Sequence, residues 1–254
     1  MIRSASAGTM SRIGHLRHLT AFRRASVSAQ SNTQHVRWNF RVAVTPDLLL
    51  YPVAAAAGLA AVLRAPWRRF RDSGFQHVFL GACVAVLFIW RMRVGIVPAV
   101  PMHLLCMTTL SLMFGMPLAI LAAALLTSAM CVMGIEIWST WPGNFLAFGV
   151  VPVLVTWAAL NASRRFLPPN PFIYIFVCAF FGAAAAMLAA MLANGVLLLG
   201  FDQISFRQFK ESYLAIMPLM MFPEAFINGL VVTGLVVFKP LWIPSFDDEV
   251  YLKS

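Results

Sequence analysis

The sequence predicts an all-α membrane protein, a polytopic bundle of about seven transmembrane helices. Of its 254 residues, 61% are apolar and only 11% are charged, whereas soluble domains are about half apolar and a quarter charged. The mean hydropathy is +0.81, and uncharged apolar runs recur from Leu48 onward. A helix of about 20 apolar residues crosses the hydrocarbon core of a bilayer, so these runs are candidate spans that contact lipid.

Residues 1–42 are predicted to be a disordered basic extension that precedes the bundle. Residues 1–46 contain seven arginines and no acidic residue, and they are rich in serine. This composition fits a targeting segment, and it fits equally a start codon placed too far upstream. The interpretation divides the chain into this extension, a seven-helix domain at 43–240 and a polar tail at 241–254.

Five of the seven spans are separate apolar segments bounded by polar or basic turns. The other two share a charge-free run from Val94 to Ile135, which is about twice as long as one crossing requires. This run is expected to break at "FGMP", where Gly115 permits unusual dihedral angles and Pro117 favours a new helix start. The five separate segments are about Leu48–Leu63, Gln76–Trp90, Phe145–Leu160, Phe172–Leu199 and Tyr213–Val237.

Basic residues between the spans predict the orientation of the bundle. With seven spans, eight arginines and lysines outside the extension fall on one face, and four fall on the other. The more basic face is normally cytoplasmic. We therefore expect a multi-pass protein of the cell inner membrane with a cytoplasmic C-terminus. The seven arginines of the extension would then lie on the outer face, so either the mature protein lacks the extension or the orientation is reversed.

Several function classes are disfavoured by the sequence. The net charge is +10, but subtracting the seven arginines of the extension leaves +3, so nucleic-acid binding is not expected. The three lysines occur at Lys210, Lys239 and Lys253, and none completes a GxxxxGK[ST] phosphate-binding loop. The protein is not expected to be an enzyme, and any energised transport would need a separate ATPase.

His103 lies in the middle of the apolar stretch "VPMHLLCMTTL". A polar side chain at membrane depth is costly, so it needs a partner or a function. If the stretch is helical, Cys106 and Met107 share a face with His103 and could ligate a metal ion with it. The residues alone leave two readings open, a metal ligand and a hydrogen-bonded packing residue.

Glu224 and Asn228 form a second polar pair within an apolar span. Their spacing of four residues puts the carboxyl and amide groups on one helix face. An ion or proton relay and an interhelical hydrogen bond both fit this pattern.

Four segments resemble the CbiM-type cobalt and nickel membrane component of energy-coupling-factor ABC transporters. They are "VTPDLLLYP", "MHLLCMTTLSLMFG", "GNFLAFGVVPVLV" and "FPEAFINGLVVTGLVV". The resemblance extends from about Val44 to Val237. It implies a substrate-binding permease subunit that holds Ni²⁺ or Co²⁺ as the transported ion, with no permanently bound cofactor, and that works with a coupling subunit and ATPase subunits.

The resemblance also implies the site residues. His103 takes the position of the metal-ligating histidine of the family, and Asn144 takes that of its Asn-rich loop. Asp47, Glu224 and Asn228 would be supporting polar residues. The family also takes ligands from a His next to its free N-terminus, but this chain has no His directly before Asp47. An alternative function is therefore a membrane assembly or regulatory protein that keeps the fold without transporting metal.

Overall fold

The structure is a computed structural model that describes residues 49–97 and 100–246. All of them belong to the second of two compact units, Val42–Ser254. The basic extension, Asp47 and the end of the polar tail lie outside the described residues.

The described residues form a helical membrane protein, as predicted. Four helices are long and apolar enough to cross a bilayer, α2, α5, α6 and α7, while α1 and α4 are shorter apolar helices. Short π-helical segments occur within α5, α6 and α7. The bounds are α1 Leu50–Arg64, α2 Ser73–Arg91, α3 Met107–Phe114, α4 Met116–Val132, α5 Trp138–Phe166, α6 Pro171–Gly200 and α7 Phe206–Phe238.

The prediction of a helix through the first half of the charge-free run is wrong. Its backbone forms an antiparallel hairpin of β1 Val94–Val97 and β2 Val100–Met102, followed by α3. Pro101 cannot donate a helical hydrogen bond, and β-branched residues around it favour extended backbone. The predicted helical face of His103, Cys106 and Met107 is therefore not formed. Cys106 instead adopts a left-handed conformation, with φ at 54°, directly before α3.

The predicted break at "FGMP" is confirmed. Gly115 separates α3 from α4 with φ at +83°, a region that favours glycine. Pro117 lies in the first turn of α4, where its missing N–H costs nothing.

The hairpin and α3 together occupy the part of the chain predicted to be the third span. The C-terminal end of α3 meets the ends of α1 and α5 at a cavity of about 530 Å³ lined by Arg64, Gly115, Arg164 and Ser245, among others. Ser245 Oγ donates a hydrogen bond to the Leu112 carbonyl of α3 at 2.6 Å. Non-helical backbone at membrane depth is tolerated only where protein surrounds it, and His103, Leu105 and Cys106, which come directly before α3, are buried.

The packed bundle continues past residue 240, where the sequence placed a polar tail. Ile243 and Phe246 are buried, and the Phe246 ring lies 5.2 Å from that of Tyr174. Elsewhere α4 and α5 approach closely at Gly149, where an added Cβ would lie 2.6 Å from the Cβ of Ala123.

A candidate cation site around His103

His103 lies between the hairpin and α3, inside the bundle. Its side chain is 5% exposed and is flanked by two aromatic rings. The Trp90 ring of α2 lies 4.8 Å from it and the Phe148 ring of α5 lies 5.6 Å away, measured between ring centroids. These contacts fix the plane of the imidazole.

The backbone of the next residue fixes which ring nitrogen is free. Nδ1 of His103 lies 3.1 Å from the carbonyl oxygen of Leu104, so we assign the ring proton to Nδ1. Nε2 then keeps a lone pair, and no described residue donates a hydrogen bond to it. Metal-binding histidines commonly show this arrangement, with one nitrogen bound to a carbonyl oxygen and the other directed to the ion.

The segment after His103 is held by hydrogen bonds from two other helices. Trp90 Nε1 donates to the Leu105 carbonyl at 3.0 Å. Glu224 of α7 accepts the backbone N–H of Leu105 on Oε2 and that of Cys106 on Oε1, both at 2.7 Å. Two backbone donors and one acceptor of this non-helical stretch are therefore satisfied within the bundle.

Glu224 and Asn228 together cap the N-terminus of α3. Asn228 Oδ1 accepts from both the backbone N–H and the hydroxyl of Thr109, at 2.9 and 2.7 Å. Its amide nitrogen donates to the Glu224 side chain and to the Glu224 carbonyl, each at 2.8 Å. The first N–H groups of a helix have no partner within the helix, and in an apolar bundle no water replaces one.

The predicted pairing of Glu224 with Asn228 on one helix face is thus seen as a direct hydrogen bond. Glu224 is 2% exposed and Asn228 is fully buried. Glu224 binds the backbone directly before α3, Asn228 binds Thr109 within α3, and the two side chains bind each other. Their geometry is that of supports for the backbone next to His103.

Asn144 lies near the start of α5, four residues before Phe148. Its amide nitrogen donates to Glu136 Oε2 and, at 3.4 Å, to the Thr140 hydroxyl. The structure therefore places Asn144 one helical turn from the ring that contacts His103, but bonds its side chain to Glu136.

Arg93 and Glu136 were not among the predicted site residues. Arg93 lies just after α2 and forms an ion pair with Glu136 Oε1, although 43 positions separate the two. Arg93 Nε also contacts the Trp90 carbonyl at 3.4 Å. The available sequence signal was that both charges directly border the uncharged run containing His103.

Around His103 the described residues supply one imidazole and no complete metal site. No group of three or more His, Cys, Asp or Glu side chains among residues 49–97 and 100–246 could hold a metal ion. An imidazole nitrogen suits cobalt and nickel, and a cation here would need further nitrogen or oxygen ligands.

A family model described as the cobalt uptake substrate-specific transmembrane region, CbiM, matches residues 43–242. No curated protein matched the sequence. The matched range contains the hairpin, helices α1 to α7, His103, and the residues Glu224 and Asn228 that hold the backbone next to it. The resemblance seen in the four segments is confirmed, and the chain belongs to the CbiM family of cobalt uptake transmembrane components.

Proposed function

We propose that this chain binds Co²⁺ inside the bundle and that Nε2 of His103 is a ligand of the ion. The observation that carries the proposal is the buried imidazole whose Nδ1 is held by the Leu104 carbonyl, while Nε2 has no hydrogen bond from any residue in the described ranges. Ni²⁺ has similar ligand preferences and is the second candidate ion. The ion is the transported substrate in this proposal.

The transport cycle would need partners. We assign ATP hydrolysis to separate ATPase subunits, joined through a transmembrane coupling subunit as in energy-coupling-factor transporters, because this sequence has no phosphate-binding loop. In this proposal the chain itself catalyses no covalent reaction. It captures the ion on one face and releases it on the other when the partners change its conformation.

The arrangement of charges supports an inner-membrane orientation with a cytoplasmic C-terminus. Arg64, Arg69 and Arg164 line one cavity together with Ser245, so the basic ends of three segments share a face with the end of the described chain. Arg93 follows the opposite end of α2. By the positive-inside rule the arginine-rich face is cytoplasmic, and the ion would enter from the side of Arg93.

The test is isothermal titration of Co²⁺ and Ni²⁺ into the full-length protein purified in detergent. We expect one ion per chain for the wild type and loss of that binding in His103→Ala. The matched control is His77→Ala, since His77 is an exposed histidine on α2 and its replacement should leave binding intact. Equal binding by all three proteins would refute the role of His103.

A second candidate function is a membrane assembly or regulatory protein that keeps this fold without transporting metal. The observation that favours it is that Glu136 and Glu224, the two carboxylates of this region, are both engaged with protein donors. A folded wild type that binds neither ion, and that purifies without ATPase and coupling subunits from its native membrane, would support this second function.

A further inference from the structure

We infer that Arg93 is an internal counter-cation of the His103 site, and that its ion pair with Glu136 neutralises a carboxylate that would otherwise help to bind a divalent cation. This inference rests on the proposed function, because it takes the ion to bind at His103. It adds Glu136 as a cation ligand and Arg93 as the residue that limits affinity.

The first support is the position of the ion pair relative to the imidazole. Trp90 and Phe148 flank the His103 ring. Arg93 Nε contacts the Trp90 carbonyl at 3.4 Å, and Asn144 comes about one helical turn before Phe148, so each lies close to a residue with a flanking ring. Glu136 accepts from both Arg93 and Asn144, and so joins the two elements that enclose the imidazole.

The second support is that both oxygens of Glu136 are already paired with protein donors. Oε1 is held by the Arg93 guanidinium and Oε2 by the Asn144 amide. The side chains of Arg93 and Glu136 are only 15% and 12% exposed, so water screens the pair poorly. While the guanidinium stays paired with it, the carboxylate offers little net negative charge to an incoming ion.

The third support is the charge that reaches His103. Arg93 Nε contacts the carbonyl oxygen of Trp90 at 3.4 Å, and the Trp90 ring lies 4.8 Å from the imidazole, so the guanidinium charge lies beside the enclosure of His103. A positive charge beside the ring repels a divalent cation at Nε2. While Arg93 stays in place, the carboxylate only cancels Arg93 and contributes nothing to neutralising the ion.

The test compares Co²⁺ affinity and the visible absorption of bound Co²⁺ in full-length variants. Arg93→Met removes the competing charge, so we expect binding tighter by about tenfold or more. Arg93→Lys keeps the charge and should therefore show none of this gain. Glu136→Gln removes the ligand and should bind more weakly, and Arg93→Met combined with Glu136→Gln should lose the whole gain.

The absorption spectrum separates ligation from a general charge effect. If Glu136 joins the coordination shell, the Co²⁺ bands of Arg93→Met should differ from those of the double variant. Arg93→Gln, which can still donate a hydrogen bond to Glu136, replaces Arg93→Met if that variant does not fold. Affinity no higher than that of the wild type, or a gain that survives Glu136→Gln, would overturn the inference.

Failure of the inference differs from failure of the proposed function. A wild type that binds through His103, together with an Arg93→Met variant that binds no better, refutes the inference alone. A wild type that binds no ion, together with an Arg93→Met variant that binds through His103, supports the inference and refutes cobalt binding by the native chain.

Discussion

Replacing Glu224 should loosen the backbone next to His103. The side chain accepts three hydrogen bonds, from the N–H groups of Leu105 and Cys106 and from the Asn228 amide. In Glu224→Gln one oxygen becomes an NH₂ group. If the remaining oxygen keeps the hydrogen bonds from Cys106 and Asn228, the new NH₂ group faces the N–H of Leu105. That buried N–H then loses its acceptor.

The magnitude follows from the number of orphaned donors. One unsatisfied buried N–H costs about 1–3 kcal/mol, so Glu224→Gln should lower the free energy of unfolding by that amount. Glu224→Ala leaves the N–H groups of both Leu105 and Cys106 without partners, which should cost about 2–6 kcal/mol. Asn228 keeps its bond to the carbonyl of residue 224, so its amide adds little to the cost.

The assay combines thermal unfolding in detergent with maleimide labelling of Cys106, which is buried directly before α3. Opening of the cap exposes Cys106, so its labelling rate should increase from wild type to the Gln variant and again to the Ala variant. Cys178, buried in α6, is the internal control and should label at an unchanged rate below the unfolding transition. Equal unfolding temperatures and equal Cys106 labelling in all three proteins would refute the capping role.

Two further stability predictions follow from the packing. Gly149→Ala should destabilise the protein by about 1–3 kcal/mol, because the new methyl group overlaps Ala123. Gly81→Ala, which meets nothing within 4 Å, should not lower the unfolding temperature, and equal effects of the two would contradict this reading. Tyr213→Phe removes the donor to the buried Met191 carbonyl and should cost about 1 kcal/mol by thermal unfolding; an unchanged unfolding temperature would show that this bond adds nothing.

Hydropathy predicted the helical spans well because lipid imposes a simple requirement on length and composition. The break at Gly115 and Pro117 was also predictable, since both residues act on local backbone dihedrals. The hairpin was missed because its residues are as apolar as those of a span. The available signal was "VGIVPAVP", in which β-branched residues alternate with Gly95, Pro98 and Pro101.

The surroundings of His103 were less predictable, because they depend on contacts distant in the sequence. The resemblance placed His103 and Asn144 in one region, but the ion pair of Arg93 with Glu136 joins two separate turns. The two backbone N–H groups that donate to Glu224 lie 118 and 119 positions earlier. Periodicity showed that Glu224 and Asn228 share a face, and it carried no information about what that face contacts.

The cap on α3 also constrains the order in which the protein is built in the membrane. The ribosome makes the hairpin and α3 long before it makes α7. The N–H groups of Leu105, Cys106 and Thr109 therefore enter the membrane without the side chains that accept their hydrogen bonds. A lone segment with unpaired backbone donors is unstable in hydrocarbon. The hairpin and α3 therefore reach their final structure only after Glu224 and Asn228 have been synthesised and inserted. Their completion is a late step in biogenesis.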